Sequence, residues 1–89
     1  MFRLWGKLFL NNKMLRDAVY ENDDPSFTRT RKIFDGLEEI CKEFDLSVPI
    51  WLDQNISDFK RASRTRFTKD SFIGESGFDF LEIQIIEED

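Results

Sequence analysis

The chain has 89 residues, a mass of 10.6 kDa and a formal net charge of −5 at pH 7. Because a chain of this length encloses only one hydrophobic core, we expect a single domain over residues 1–89. An apolar content of 40%, with ten phenylalanines, predicts a folded globule rather than a disordered chain. The chain lacks histidine, the commonest general acid or base, which favours a non-enzymatic protein. Its acidic balance argues against a protein that coats nucleic acid nonspecifically.

The only cysteine is Cys41, which excludes a disulfide within the chain and a zinc site built from cysteines. The stretch "MFRLWGKLFL" is interrupted by Arg3 and Lys7 and precedes no small-residue cleavage site, so it is typical of neither a signal peptide nor a membrane span. We therefore expect a cytoplasmic protein without a membrane segment. No phosphate-binding glycine loop or calcium-loop spacing occurs, so no metal or other cofactor is expected.

The amino-terminal part of the chain predicts a β-hairpin. Two apolar runs flank residues 11–13, "NNK", and asparagine tolerates the positive φ of a tight turn. Trp5 and Phe9 fall on the second face of the first strand, where either another element covers them or they form a contact surface. The first face holds Phe2, Leu4, Leu8 and Leu10.

A long amphipathic helix follows. Asp24 and Pro25 predict its start, because aspartate accepts hydrogen bonds from first-turn amides and proline suits the first helical position. Pro49 disfavours helix just before it, so the helix should end near Asp45 or Leu46. The apolar stripe at helical spacing comprises Phe27, Thr30, Ile33, Phe34, Leu37, Ile40, Cys41 and Phe44. Its position on this stripe predicts that Cys41 is a buried structural cysteine.

The second half of the chain predicts shorter elements. We expect an extended piece that carries residues 50–52, "IWL", inward, followed by a short helix over residues 53–61 that Asp53 caps. This helix should bury Ile56 and Phe59. A strand is expected at residues 65–68, "TRFT".

The last strand, "FDFLEIQIIEE", changes the phase of its apolar alternation. A β-bulge near Phe80 and Leu81, or a strand covered on both faces, would explain the change. The predicted fold is α+β: a mainly antiparallel sheet, made from the amino-terminal hairpin and the carboxy-terminal strands, packed by one long amphipathic helix and a short second helix.

The charges alternate in blocks along the chain, with residues 1–34 and 60–69 net basic and residues 35–58 and 70–89 net acidic. The predicted long helix carries its bases near its start and its acids near its end, which opposes the helix dipole. Either acids and bases elsewhere in the chain compensate this arrangement, or charged partners from outside do so.

The stretch "FKRASRTRFTK" contains five bases and no acid. Lys60 and Arg61 lie at the predicted end of the short helix, where the dipole favours cations without any ligand. Arg64 and Arg66 share one strand face, from which they either hold an anion bidentately or pair with Glu82 or the acidic tail. The candidate residues for binding an anion or a partner are Lys60, Arg61, Arg64, Arg66, Arg29 and Lys32.

Several segments together resemble a set of short uncharacterised proteins from anaerobic Gram-positive bacteria. They are "ENDD", "RTRKIF", "LEEIC", "FDLSVPIWLD", "TRFT" and "FDFLEIQIIEED", and the resemblance covers nearly the whole chain. It implies a free-standing small bacterial protein inside the cell. It implies no catalytic or binding residues, because no function is assigned to that set.

The function that these observations favour is a non-enzymatic, cytoplasmic module that binds another protein, including a second copy of itself. The alternative is an anion or nucleic-acid binder that uses the basic segment 60–69, although nucleic acid is not the favoured partner. A third hypothesis is a small hydrolase or nuclease built from carboxylates, arginines and Tyr20, which requires a pocket with convergent carboxylates.

Overall fold

The structure is a computed structural model that describes residues 1–75 and 77–88. In chain order its elements are β1 (Phe2–Leu10), β2 (Lys13–Asn22), α1 (Arg29–Glu43), α2 (Asp53–Ala62), β3 (Arg64–Thr68), a 3₁₀ turn (Lys69–Ser71) and β4 (Phe80–Glu87). The four strands form one antiparallel sheet in the order β2-β1-β4-β3, and residues of both helices pack into the core on one face of it. The α+β prediction is confirmed.

The predicted hairpin forms through a two-residue turn. Asn11 and Asn12 have φ of 53° and 64°, the left-handed values that join two strands without splaying them. The pairing of β1 with β2 is interrupted once, because Leu8 lies opposite Arg16 whereas Phe9 lies opposite Met14. Leu15 is therefore an extra residue, and it forms a bulge in β2.

The core lies between the helices and one face of the sheet, as the alternation in β1 predicts. Its buried apolar residues are Phe2, Leu4, Leu8, Ile33, Leu37, Ile40, Cys41, Phe44, Phe59, Phe67, Phe72, Phe78, Leu81 and Ile83. Helix α1 approaches the sheet closely at Gly6, where an added Cβ would lie 2.5 Å from Ile40 Cγ2. It does so again at Gly36, where a Cβ would lie 2.8 Å from the Tyr20 ring. The two glycines thus set the depth at which α1 packs.

Helix α1 starts later than the sequence predicts. Its N-cap is Thr28, whose side chain accepts a hydrogen bond from Arg31 N at 3.1 Å. Asp24 instead closes a turn before the helix, where its carboxylate accepts hydrogen bonds from both Ser26 N and Ser26 Oγ. The prediction of a helix start at residues 24–25 is therefore wrong, since the aspartate satisfies local turn amides rather than helical ones. The helix ends at Glu43, and Asp45 has a left-handed φ of 58°.

The segment before α2 also differs from the prediction. Trp51 packs against the core, but its neighbours Ile50 and Leu52 are exposed, and residues 50–52 form no strand. Asp53 is the first residue of α2 rather than its cap. The N-cap residue is Leu52, and its backbone N–H donates to Asn55 Oδ1 at 3.0 Å. The side chain of a residue inside the helix therefore satisfies the backbone N–H of the N-cap residue.

Three residues of the predicted helical stripes also lie at the surface: Thr30, Phe34 and Ile56. Phe34 is 51% exposed and Ile56 is 42% exposed, whereas Phe59 and Cys41 are buried as predicted. The apolar stripe of each helix is wider than the strip that contacts the sheet. Phe34 and Ile56 therefore lie at the edges of the contact, on the sides where α1 and α2 face each other.

The phase change in the last strand has a different cause from the predicted bulge at residues 80–81. Phe78 precedes β4 and is buried against Phe72, with ring centroids 5.1 Å apart. Phe80 lies on the opposite face and stacks on Phe9 at 4.9 Å. The irregularity in β4 lies at its other end, where Arg3 pairs with residue 87 and the next residue of β1 with residue 85.

The close approach at Gly6 predicts a sensitive position. Gly6→Val should lower the free energy of unfolding by about 1–3 kcal/mol, because the added carbons overlap Ile40. Thr68→Val is the matched control, since it places the same side chain on an exposed strand position and should change stability by less than about 0.5 kcal/mol. Urea unfolding followed by circular dichroism measures both. Equal stability of the two variants would contradict the packing described.

Candidate functional site

The face of the sheet that points away from the helices is called the open face here. Its residues are Arg3, Trp5, Lys7, Phe9, Met14, Asp17, Val19, Glu21, Arg64, Arg66, Thr68, Phe80, Glu82 and Gln84. Within the described residues no helix packs on this face. Its long side chains cover it instead: Lys7 Nζ lies 4.0 Å from the centroid of the Trp5 ring, and the Arg66 guanidinium lies 4.5 Å from that of Phe80. The sequence left open whether Trp5 and Phe9 are covered by another element. Lys7 of the same strand shields Trp5, and Phe9 stacks on Phe80 of the neighbouring strand β4.

Glu82 occupies the middle of the open face. Its carboxylate accepts hydrogen bonds from Lys7 Nζ at 2.8 Å and from Arg66 Nε at 3.0 Å. The Glu82 side chain is only 10% exposed, whereas that of Arg66 is 63% exposed. A buried carboxylate with two cationic donors is well compensated, so the cluster stabilises the register of three strands.

The pKa of Glu82 reflects two opposed effects. Burial raises the pKa, but the hydrogen bonds from Lys7 and Arg66 outweigh burial and hold the pKa below its usual value. Glu82 is therefore ionised at neutral pH, and its charge is already matched within the chain.

The basic segment 60–69 is divided by the fold. Arg66 pairs with Glu82, and Arg61 pairs with Asp58 at 3.1 Å. Arg64 has no hydrogen-bond or ion-pair partner among residues 1–75 and 77–88. A cleft of about 360 Å³ lies beside these arginines and is lined by Asp58, Arg61, Ala62, Arg64, Thr65, Arg66 and Glu82. Since two carboxylates share this cleft with three arginines, it offers an anion much less than a purely basic site would.

The other three candidate cations lie elsewhere. Arg29 Nε pairs with Glu88 at 2.7 Å, at the start of α1. Lys32 is buried, and its Nζ lies 6.0 Å from the centroid of the Phe2 ring. Lys60 lies across a groove from Arg29. The structure therefore separates the six candidates into two groups instead of bringing them together. Asp89, considered as part of the acidic tail, lies outside the described residues.

The charges that oppose the dipole of α1 have compensating partners inside the chain. Glu88 is the anion near the amino end of the helix, where its carboxylate binds Arg29. At the carboxy end Arg16 Nη2, from β2, donates to the Glu43 carbonyl at 3.2 Å. Each helix terminus thus receives a charge of the favoured sign from a neighbouring strand or from the carboxy-terminal segment. This agrees with the first of the two alternatives that the sequence left open.

The groove between α1 and α2 is the feature that the sequence reasoning missed. It has a volume of about 340 Å³ and is called the apolar groove here. Its lining residues are Arg29, Thr30, Ile33, Phe34, Trp51, Ile56, Phe59 and Lys60. The signal was present in the sequence, because Phe34 and Ile56 are apolar residues at the edges of their stripes, but the way two helices meet is not readable from either helix alone.

Trp51 forms the floor of the apolar groove. Its ring makes edge-to-face contacts with Phe34, Phe59 and Phe67, with centroids 5.6, 5.7 and 5.0 Å away. The indole Nε1 is buried and has no hydrogen-bond partner among the described residues. These three contacts hold the indole rigidly, so the groove is preformed.

A third cleft lies between α1 and β2 and is called the acidic cleft here. It measures about 510 Å³ and is lined by Ala18, Val19, Tyr20, Glu21, Asp35, Glu39, Ile40 and Glu43. The Tyr20 hydroxyl donates to Asp35 Oδ2 at 2.5 Å. Burial, followed by this hydrogen bond, raises the pKa of Tyr20, so the phenol stays protonated at neutral pH. The cleft also holds the carboxylates of Glu21, Asp35, Glu39 and Glu43 around this phenol.

Cys41 is fully buried in the core, as predicted, and burial, followed by the charge of Glu75, raises the pKa of its thiol to about 12. Such a thiol is not a nucleophile at neutral pH. In the described part of the chain, no three Cys, Asp or Glu side chains are placed to hold a metal ion together. Neither α1 nor α2 has the length and apolar character that a membrane crossing requires.

Comparison of the chain with protein-family models, with curated proteins and with solved structures found no match. The function of the chain is therefore inferred from its open face, its apolar groove and its two other clefts.

The cluster around Glu82 predicts a pH-dependent contribution to stability. Because the folded-state pKa of Glu82 lies below the value in the unfolded chain, this contribution is present above about pH 4.3 and is lost as the pH falls through the folded pKa. Glu82→Gln should lower the free energy of unfolding by about 1–3 kcal/mol at pH 7, and by much less at about pH 3.

Glu87→Gln on the same strand is the control. Glu87 pairs with Arg3 at 3.4 Å in an exposed position, so its loss should cost less than about 1 kcal/mol. Urea unfolding of the wild type and both variants at pH 7 and pH 3 makes the comparison. A deficit in Glu82→Gln that stays the same at both pH values would exclude the charge as its cause.

Proposed function

We propose that this chain is a non-enzymatic protein-binding module that acts in the cytoplasm, and that the apolar groove is its binding site. The observation that carries the proposal is the position of two large apolar side chains, Phe34 and Ile56, at the rim of a groove with a rigid aromatic floor. Large apolar residues clustered at the surface of a small protein commonly mark contact sites.

The shape of the groove favours a helical segment as its occupant. Two helices, α1 and α2, form its walls, and a third amphipathic helix fits such a groove through apolar residues at spacings of three and four. A volume of about 340 Å³ accommodates a few apolar side chains of such a helix. The anchor of the partner would contact Trp51, and aromatic anchors in preformed pockets carry much of the energy of protein interfaces.

The charges at the rim favour an acidic partner. Arg29 and Lys60 line the groove, and Lys60 has no ion-pair partner among the described residues. Complementary charges at a rim increase the rate of association and select the partner. The partner is therefore an amphipathic helix with apolar anchors and with aspartate or glutamate at its flanks.

The cytoplasmic and non-enzymatic parts of this proposal rest on the chemistry of individual residues. The single cysteine is a reduced, buried thiol, which suits a reducing compartment. The phenol of Tyr20 and the thiol of Cys41 are each held protonated at neutral pH, and the carboxylate of Glu82 is already paired with Lys7 and Arg66. The resemblance to short intracellular bacterial proteins is consistent with the same proposal.

The proposal predicts the kind of peptide that the chain selects. A displayed library of random peptides should yield ligands with apolar residues at helical spacing, flanked by acids. Ile56→Glu should weaken their binding at least about tenfold, because a charge replaces an apolar contact at the rim of the groove. The position is exposed, so the fold should be retained. Fluorescence anisotropy of a labelled selected peptide measures the affinity.

Two further variants make the test specific. Ile73→Glu is the matched control, because Ile73 is 80% exposed and lies outside the groove. Lys60→Glu should weaken binding of acidic peptides and reduce its salt dependence. If selected peptides bind Ile56→Glu as tightly as the wild type, the groove is not the binding site. If Arg64→Glu/Arg66→Glu abolishes binding and Ile56→Glu does not, the basic segment is the binding site instead.

A further inference from the structure

Strand β2 is an edge strand of ten residues, and along its outer side no strand of the described chain pairs with it. The other edge strand, β3, has five residues and is partly covered: the carbonyl of Arg66 accepts a hydrogen bond from Asn55 Nδ2 at 2.9 Å. An open edge presents unpaired N–H and C=O groups to any other strand. The outer edge of β2 is therefore the more available of the two.

The hydrogen-bond alternation identifies which groups of β2 are available. Ile85 N donates to the Ser63 carbonyl at 2.9 Å, so Ile85 directs its backbone groups toward the side of the sheet where β3 lies. Successive residues direct these groups alternately to the two sides of a strand. The pairing registers carry this alternation from β4 to β1 and from β1 to β2. As a result, the backbone N–H and C=O groups of Asp17, Val19 and Glu21 point away from β1.

The side chains along this edge are suited to contact with another strand. Met14, Leu15 and Val19 are each 48% exposed. β2 contains no proline, although the bulge at Leu15 limits regular pairing to the part of the strand that follows it. Three exposed apolar residues beside unpaired backbone groups are typical of a strand that pairs with a partner.

We propose that two copies of this chain pair antiparallel along β2, about a twofold axis at Ala18, and so form one continuous eight-stranded sheet. The position of the axis follows from charge. An axis at Asp17 would place two Asp17 side chains opposite each other, and an axis at Val19 would place Asp17 opposite Glu21. With the axis at Ala18, the backbone groups of Asp17 in one copy hydrogen-bond with those of Val19 in the other. The side chains that face each other at the centre are then the two small Ala18 methyl groups.

The same register brings opposite charges together. Arg16 of one copy lies opposite Tyr20 of the other, on the face of the sheet that packs against α1. Tyr20 lines the acidic cleft with Asp35, Glu39 and Glu43. In the dimer the guanidinium of Arg16 exchanges its hydrogen bond to the Glu43 carbonyl of its own chain for the acidic cleft of the second copy. The contact is the same in both directions, so the assembly closes as a dimer rather than growing into a filament.

This inference is independent of the apolar groove, which lies between α1 and α2 and includes no residue of β2. A variant of the groove leaves the dimer intact, and a variant of the edge leaves the groove intact. Failure of one proposal is thus distinguishable from failure of the other.

Sedimentation equilibrium of the full chain over a range of protein concentrations tests the dimer. The wild type should be a dimer at high concentration, and 1 M salt should weaken the association because the Arg16 contact is electrostatic. Val19→Pro should raise the dissociation constant at least tenfold, since proline removes an outward N–H without touching the pairing with β1. Val19→Lys should have the same effect if the proline variant fails to fold.

Charge exchange tests the register. Arg16→Glu and Glu39→Arg should each weaken the dimer, and the double variant Arg16→Glu/Glu39→Arg should recover most of the affinity. Amide hydrogen exchange gives a residue-level readout: the N–H groups of Asp17 and Val19 should become protected as the protein concentration rises.

A chain that stays monomeric at millimolar concentration would overturn the proposal. So would a dimer that survives Val19→Pro and Val19→Lys but is lost in Arg64→Pro, because such a dimer uses the β3 edge. Weakening by Arg16→Glu without recovery in the double variant would overturn the register at Ala18.

Discussion

The structure depends on a one-sided arrangement in which both helices pack on the same face of a four-stranded sheet. The packing of α1 on that face is close only because Gly6 and Gly36 carry no side chain at the points of contact. The opposite face must then be stable in contact with solvent. It achieves this with long amphipathic side chains that shield its aromatic rings, and with a carboxylate, Glu82, that two cations on neighbouring strands neutralise.

This arrangement explains why an acidic protein contains the segment 60–69. Arg66 on β3 pairs with Glu82 on the adjacent strand β4, and Arg61 pairs with Asp58 within α2. The carboxy-terminal acids are used in the same way, since Glu87 and Glu88 pair with Arg3 and Arg29. Among the acids without a printed ion pair, Glu39 and Glu43 line the acidic cleft. Among the bases, Arg64 and Lys60 are exposed near β3 and α2 and have no ion-pair partner within the described residues.

The sequence predicts those parts of the fold that depend on residues close together along the chain. The Asn11–Asn12 turn follows from local conformation and is confirmed, and the periodicity of α1 is confirmed for its buried residues Ile33, Leu37, Ile40 and Cys41. The cap of α1 was misplaced because Asp24 and Thr28 are both good N-cap residues, and only the path of the chain decides between them. The pairing of Arg66 with Glu82 was one of several possibilities, since it requires β3 and β4 to be neighbours.

The apolar groove was not predictable for a related reason. Phe34 and Ile56 each continue the apolar stripe of a helix, and a stripe alone does not show where contact with the sheet ends. That limit is set by how deeply α1 and α2 lie on the sheet and by the indole of Trp51 between them. The residues that line the proposed binding site are thus apolar residues that the core leaves at the surface.

The two proposed surfaces have a combined consequence. A twofold axis at Ala18 runs perpendicular to the sheet, so the helices of both copies lie on the same side, and so do both grooves. β2 and β3 are the opposite edges of each sheet, and the groove lies near the β3 side because α2 packs there. A dimer joined through β2 therefore holds its grooves far apart at the two ends of the sheet.

A partner with two suitable helices, joined by a linker long enough to reach from one groove to the other, would bind both grooves at once. Its avidity would exceed the affinity for one groove by orders of magnitude. A partner with one helix would gain nothing from the dimer, so the arrangement favours partners that are themselves repeated or dimeric.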